Sequence, residues 1–295
     1  MHNEKKPVPM SKKKFDEFYP AALTVAGSDS GGGAGVQADL RTFNAFGVFG
    51  TSAITGVTSQ NPFEVRRIDL LPAEAVKCQI DTVLDRIAVR WAKSGMLGCS
   101  AVVEVVAAAV KERKLPLVCD PVMVSTSGAR LLEDAAVAAV REKLLPAARW
   151  ITPNLPEAEL LLGVRIDSLE KCADAAKRLY DLCGASVLLK TGHAGFTSGA
   201  ADVVCRDGRL YLLSSERIAL PPLAAHGTGC TLSAALAAGF AAGASWKQAL
   251  CDAKAFVLGS LAECAVIGKD LNAMYPPVGD FSGAVTLEEY PGGKR

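Results

Sequence analysis

The 295-residue chain has almost no excess charge of either sign: 32 Lys and Arg stand against 31 Asp and Glu, a formal net charge of +1. Its one basic cluster, Lys12 to Lys14 with Lys5 and Lys6 ahead of it, lies in a polar N-terminal stretch. Binding to nucleic acid or to an anionic membrane through a basic face is therefore not expected. No uncharged apolar run reaches the roughly 18 residues of a transmembrane helix, and the longest, CTLSAALAAGFAAGASW, is interrupted by Thr, Ser and Gly. The nine cysteines are odd in number, scattered, and contain no CxxC pair. With no apolar signal core in residues 1–20, they read as reduced thiols of a cytoplasmic protein. Internal repeats, low-complexity linkers and composition shifts are also missing, so nothing marks a second domain.

Half of the residues are hydrophobic, and a chain of this length can bury about three-quarters of its unfolded surface without a disulfide or metal staple. Residues 1–20, with Pro7, Pro9, Pro20 and the lysines, read as a flexible tail. From residue 21, short apolar runs (ALTVAG, TSAITGVTSQ, VRRIDLLP, WAKSG, PLVCDP, WITPN) alternate with helix-period stretches. That alternation predicts an α/β fold, a mostly parallel sheet covered by helices on both faces. ADVVCRDG and RLYLLSS, joined at Asp207-Gly208, predict a hairpin. Residues 224–240 and 246–266 supply two last helices. The expected domain spans residues 21–268, and the Pro- and Gly-rich segment 269–295 is assigned no helix or strand.

Four stretches are candidates for chemistry. AGSDSGGGAGVQADL, residues 26–40, is a glycine-rich turn between a strand and a helix. Gly33-Ala34-Gly35-Val36-Gln37-Ala38 satisfies the dinucleotide pattern GxGxxA, but no acidic residue lies between Asp39 and Glu64, where a ribose ligand is expected about 20 positions on. No GK[ST] follows, so a Walker A loop is excluded too. In TPNLPEAELL, residues 152–161, Pro156 and Glu157 mark an ordinary helix start. The functional reading of the same residues has Asn154 and Glu157 facing a metal-bound phosphate at a strand's carboxyl end. In CDPVMVSTSG, residues 119–128, Asp120 ends a buried strand, where a carboxylate could help hold Mg²⁺.

The strongest local signal is HGTGCTLSAALAAG, residues 226–239. A helix N-terminus favours an anion by ~0.3 to 1 kcal/mol through its dipole alone. Gly227 and Gly229 let the N–H groups around Thr228 turn inward as a nest. Cys230 at the helix mouth is expected to have its thiol pKa lowered from ~8.5, whereas the other cysteines fit small buried hydrophobes. His193 and His226, beside glycines in loops, do not read as core.

Together AGSDSGGGAGVQADL, TSQN (58–61), SGML (94–97), CDPVM, TPNLPEAELL, LLKTGH (188–193) and HGTGCTLSAALAAG resemble, in order, the hydroxymethylpyrimidine/phosphomethylpyrimidine kinases of the ribokinase-like superfamily. The resemblance covers about residues 21–265. It implies a ribokinase-like sheet of about eight strands, ATP and Mg²⁺, and two successive phosphorylations of 4-amino-5-hydroxymethyl-2-methylpyrimidine in thiamine biosynthesis. It further implies that Gln60 reads the ring's amino and nitrogen edge, with Gly27, Asp39, Met96 and Val122 lining the same pocket. Asn154 and Lys190 fall on the nucleotide and phosphate side, and Asp120 and Glu157 at the metal. Gly227, Thr228 and Gly229 form the anion hole, and Cys230 stands where most of the superfamily carries an aspartate base. A homodimer is implied as well. Gly31 departs from the family's usual second Ser, and GKDLNAMYPPVG from its usual GxGPV segment. A pyridoxine or pyridoxal kinase of the same branch is the alternative; the pair Gln60 and Asn61 favours the pyrimidine. An inactive metabolite-binding relative is opposed by the presence of all the charged positions.

Overall fold

The structure, a computed structural model, describes residues 18–123, 132, 134–192, 199–219 and 224–290. Strand β1 (Ala21–Asp29) leads through the glycine-rich turn into helix α1 (Gly35–Ala45), and β2 (Phe49–Asn61) returns beside β1. After β3 (Glu64–Leu70) come α2 (Ala73–Leu84), β4 (Val89–Ser94), α3 (Ser100–Glu112) and β5 (Leu117–Cys119). Next are α4 (Asp134–Ala139), β6 (Trp150–Ile151), α5 (Leu155–Leu162), α6 (Leu169–Cys183) and β7 (Ser186–Leu189). The hairpin β8 (Ala200–Arg206) and β9 (Arg209–Ser215) precedes α7 (Thr228–Ala241) and α8 (Trp246–Ala262). The C-terminal segment adds β10 (Ala265–Gly268), β11 (Leu271–Ala273) and β12 (Val285–Glu289).

One ten-stranded sheet runs in the order β12-β9-β8-β7-β6-β5-β4-β1-β2-β3. The strands from β2 to β7 pair in parallel, and antiparallel strands extend the sheet on both sides. The sheet is wider than the eight strands expected, in part because VRRIDLLP turns back on β2 as an exposed antiparallel edge. At the other edge, the segment given no strand supplies β12 against β9. The helix expected over 246–266 stops at Ala262, and residues 265–273 form a small hairpin of their own.

Alternation along the central strands builds the two layers. Leu117, Cys119, Val187 and Leu189 face a core shared with α2, α3, α5 and α6. Val118 and Leu188, one residue out of phase, face the other core with α1, α7 and α8. Helix α7 is buried on almost every side, and small residues make this possible: a Cβ on Gly239 would sit 3.2 Å from the Cβ of Ala249 on α8. Phe240 fills the remaining space by stacking on Trp91 at 4.5 Å between centroids. At the β8–β9 turn, Asp207 and Gly208 both have positive φ, 50° and 73°, as a two-residue hairpin of matching twist requires. No helix among the described residues is long and apolar enough to cross a membrane.

The sheet hides one charged pair that the sequence pattern did not announce. Lys93 on β4 is 0% exposed and donates to both carboxylate oxygens of Asp39 on α1, at 3.0 and 2.8 Å. Thr24 Oγ1 donates to the same group at 2.5 Å. Breaking a buried pair strands a charge, whereas replacing both partners by apolar groups is often neutral. Lys93→Met alone should therefore cost about 3–5 kcal/mol of unfolding free energy. Lys93→Met combined with Asp39→Leu should recover most of that loss, as urea denaturation of the two variants would show.

Candidate active site

The carboxyl ends of the parallel strands meet the N-terminus of α7, and two cavities open there. The first, about 410 Å³, is lined by Gly27, Asp29, Gln60, Met96, Asp120, Val122, Asn154, Glu157, Lys190, His226, Gly227, Gly229 and Cys230, among others. The second, about 450 Å³, has apolar walls from Ile218, Leu232, Val257, Leu258 and Leu261 and a buried ion pair, Lys254 to Asp202 at 2.7 Å. Asn154, Lys190 and Gly229 belong to both.

Gly227 precedes α7 at φ 84°, and a Cβ there would lie 1.9 Å from the carbonyl oxygen of Gly33. No other residue fits without moving the turn. No side chain caps the first turn of α7, which leaves that positive helix end to the cavity. Lys190 Nζ reaches the same turn: a Cβ on Gly229 would be 3.2 Å from it. The lysine donates to Asp120 Oδ1 at 2.9 Å, and Ser233 Oγ donates to Asp120 Oδ2 at 3.2 Å. Burial works against the Lys190 ammonium, but Asp120 and Glu157 outweigh it and raise the pKa above the ordinary lysine value.

Both readings of TPNLPE hold at once. Asn154 caps α5, accepting from Glu157 N at 2.9 Å, and Glu157 Oε2 accepts from Asn154 N at 2.9 Å, a complete capping box. Pro156 is the second helical residue rather than the first, because Leu155 already follows the cap. Glu157 Oε1 also accepts from Met123 N at 3.1 Å, and the residue still borders the first cavity. Burial, with Asp120 nearby, pushes its carboxyl pKa up. Val122, directly before Met123 in the chain, has φ 44°. Such backbone in a β-branched residue costs ~1–3 kcal/mol and is characteristic of functional sites.

Two expectations are corrected. Asp39 does not line the pocket: on α1 it lies on the buried face with Val36, Thr42 and Phe43, and that face turns it onto Lys93 beneath the cavity. The Cys230 thiol is pushed up rather than down, because burial dominates and Asp39 and Asp120 add to it while Lys93 opposes. The helix terminus does not make up for lost water. Gly27, Gln60, Met96 and Val122 do converge, with Met96 Cε lying 2.5 Å from where a Cβ of Gly27 would be. Thr228 lines the second cavity only.

Sequence reasoning gave no role to Asp29 or His226, although both stand in the quoted motifs. Asp29 is buried and accepts from Gly31 N at 2.7 Å and Ala34 N at 2.8 Å. His226 Nε2 lies 3.2 Å from Asp29 Oδ2. Burial alone would raise the Asp29 carboxyl, but the hydrogen bonds from His226, the Gln60 side chain and the two loop N–H groups hold it well below the usual carboxylate range. The acid ahead of a glycine run was the available signal. His193 lies outside the described residues.

Residues 29–274 match the family model described as phosphomethylpyrimidine kinase. The hydroxymethylpyrimidine/phosphomethylpyrimidine kinase of Haemophilus influenzae is 43% identical over 251 residues, 84% of this chain and 93% of that one. Among solved structures, an ADP complex of Bacillus subtilis pyridoxal kinase is similar at TM-score 0.81 and 35% identity, covering 88% of this chain and 98% of that one. The phosphomethylpyrimidine kinase of Clostridium difficile is similar at TM-score 0.71 and 34% identity, covering 81% of this chain and 97% of that one. Through a family match over most of its length and through relatives of this identity, the chain belongs to the phosphomethylpyrimidine kinase family.

Proposed function

We propose that the protein is an ATP-dependent kinase of thiamine biosynthesis that phosphorylates the hydroxymethyl group of 4-amino-5-hydroxymethyl-2-methylpyrimidine and then the resulting monophosphate. The observation that carries this is the pair of cavities meeting at Asn154, Lys190 and Gly229. A phosphoryl group crossing from one to the other would pass the open N-terminus of α7 and the Lys190 ammonium. Positioning and charge stabilisation of this kind supply most of the catalysis in phosphoryl transfer.

In this reading the first cavity holds the pyrimidine, with Gln60 offering an amide donor and acceptor to the ring edge. The apolar walls of the second hold the adenine. Asp120 and Glu157 fit a magnesium ion brought with the nucleotide. Each carboxylate borders the same cavity, and burial, helped by Asp120 and opposed by Lys190, raises the Glu157 pKa, a cost that a cation would relieve. No cluster of three or more ligating side chains occurs among the described residues, which suits Mg²⁺, usually held by one or two carboxylates with phosphates and water. Bound there, it would neutralise phosphate charge. Cys230, which borders the same cavity, would take the hydroxyl proton, and Lys93 is the cation that favours its thiolate. The exposed edge β3, with Phe63, Val65, Ile68 and Leu70 uncovered, suits a homodimer, and nine unpaired cysteines suit a reducing cytoplasm.

A second reading, a pyridoxal kinase, is favoured by the backbone similarity to that enzyme; Gln60 in the pocket argues for the aminopyrimidine. Turnover measured with ATP and each ring, with chromatography separating mono- from diphosphate, tests the proposal. Both pyrimidine phosphates should form, and kcat/KM should be higher for the pyrimidine than for pyridoxal; the reverse order overturns the assignment. Gln60→Ala should raise KM for the pyrimidine about tenfold or more with KM for ATP unchanged, the size expected for an amide contact.

The raised Cys230 pKa gives a separate expectation. A raised thiol is protonated at neutral pH, and its thiolate accumulates only as pH climbs past the ordinary ~8.5. Alkylation by iodoacetamide, followed peptide by peptide, should be slow at Cys230 near neutrality and accelerate into the alkaline range. In wild type kcat should rise over that same range, and Cys230→Ala should lower kcat and lose the rise while KM is retained. An unchanged profile in the variant would leave the reaction to the anion turn and Lys190.

A further inference from the structure

Beyond the last paired residues of β7 the chain is held in a different way. The antiparallel ladder between β7 and β8 pairs Val187 with Cys205, Leu188 with Val204 and Leu189 with Val203. Continued in register, it would set Thr191 opposite Ala201, but side chains take over there. Thr191 N donates to Asp202 Oδ1 at 2.9 Å, and Thr191 Oγ1 donates to Ala201 O at 2.5 Å. On the opposite flank Lys190 N donates to Pro153 O at 2.9 Å, within an isolated parallel bridge between Lys190 and Asn154. The peptide N–H groups before and after the Lys190 α-carbon are therefore both fixed, one on each side of the strand. From that fixed point the Lys190 side chain reaches Asp120 Oδ1 at 2.9 Å.

Asp202 is itself buried, and its other oxygen, Oδ2, accepts from Lys254 Nζ on α8 at 2.7 Å. A neutral amide would also offer Thr191 N an acceptor, whereas a buried ion pair carries a desolvation cost that its attraction only offsets. Charge adds two things in return. An ionised acceptor binds an N–H roughly twice as strongly as a neutral one, and the lysine ties the strand end to a third element. Lys254 precedes Val257, Leu258 and Leu261 on α8, which wall the second cavity, and Asp202, Thr191 and Lys190 line that cavity as well. A short run of contacts thus leads from the α8 wall through Asp202 to the main chain that carries Lys190.

We infer that Asp202 is a positioning residue that sets Lys190 at the junction of the two cavities, and that Lys254 holds Asp202 to this task from α8. The inference rests on the proposed kinase activity, in which the Lys190 ammonium meets the transferred phosphoryl group, and deepens it by naming what holds that cation in place. Without an acceptor for Thr191 N, the peptide after Lys190 is free to turn, and the ammonium leaves the phosphate path.

The test is a kinetic cycle on the full-length enzyme between two variants that both remove the charges of the buried pair. Asp202→Asn with Lys254→Met keeps an oxygen for Thr191 N; Asp202→Leu with Lys254→Met keeps a similar shape without one. With ATP and the aminopyrimidine, kcat of the second should be about tenfold below that of the first, the size expected for an orphaned buried N–H. KM for the pyrimidine should be equal in the two, because Gln60 and Met96 are untouched. When Lys190→Met is added to each, the gap in kcat should close. A gap that persists there, or equal kcat before Lys190→Met is added, would confine the pair to tying α8 to β8 and overturn the inference. If Asp202→Leu with Lys254→Met does not fold, Asp202→Ala with Lys254→Met takes its place and is judged by the same comparison. Amide hydrogen exchange on the wild type supplies a check that needs no variant. The Thr191 N–H should exchange as slowly as those of β7, and exchange at the rate of an open loop also counts against the clamp and overturns it. Wild-type turnover of the aminopyrimidine is measured first: its absence overturns the proposed function and this inference with it, whereas turnover with no gap between the two variants overturns the inference alone.

Discussion

The α-carbon of Gly227 lies so close to the carbonyl of Gly33 that a single methyl group would come within 1.9 Å of the oxygen. This contact joins the loop after the first strand to the loop before α7, two segments far apart in the chain. Everything at the site is built around it. Asp29, Gln60, Lys190 and Asp120 all line the cavity that this turn borders. Gly35 extends the constraint, since a Cβ there would be 2.4 Å from the carbonyl oxygen of Gly27. The first strand and first helix are thus held at a fixed distance beneath the cavity, by an absence of side chains rather than by an attraction.

Three lysine–aspartate pairs sit in or under the strand ends: Lys93 with Asp39, Lys190 with Asp120, and Lys254 with Asp202. Each joins elements distant in sequence, and each takes charges out of water at a cost that only its partner offsets. They differ in what they face. Lys93 and Asp39 are fully enclosed and pin α1 to β4. Lys190 retains some exposure at the junction of the two cavities, where in the proposed reading a phosphate would take part of its interaction with Asp120. The same low-dielectric surroundings that strengthen these pairs push the Cys230 thiol up. In this pocket desolvation outweighs the helix dipole, whose contribution is only a few tenths of a kcal/mol to about 1.

Backbone architecture here does not choose the substrate. Solved structures named pyridoxal kinase and phosphomethylpyrimidine kinase both share this backbone, at TM-scores of 0.81 and 0.71. In the proposed reading, selectivity rests on the side chain of Gln60 at the end of β2, which lines the first cavity.

Much of this was legible in the chain. Short apolar runs, apolar on both sides, between helical stretches predicted a mostly parallel sheet with both faces covered, and TPNLPE spelled a capped helix whose box closes as Asn154 and Glu157 require. The glycines of GTG announced a tight turn at a helix mouth, because few other residues permit the positive φ of Gly227. What the sequence could not settle was direction and depth. Asp39 lies one helical face away from the pocket it was expected to line, and β3 and β12 join the sheet edges through long-range pairing that no local pattern encodes. Local sequence determined which elements form and which chemical groups are available, because propensity, capping and turn chemistry act over a few residues. Only tertiary structure decided which charges meet and how much water each loses, because those depend on contacts such as His226 with Asp29 that close across nearly the whole chain.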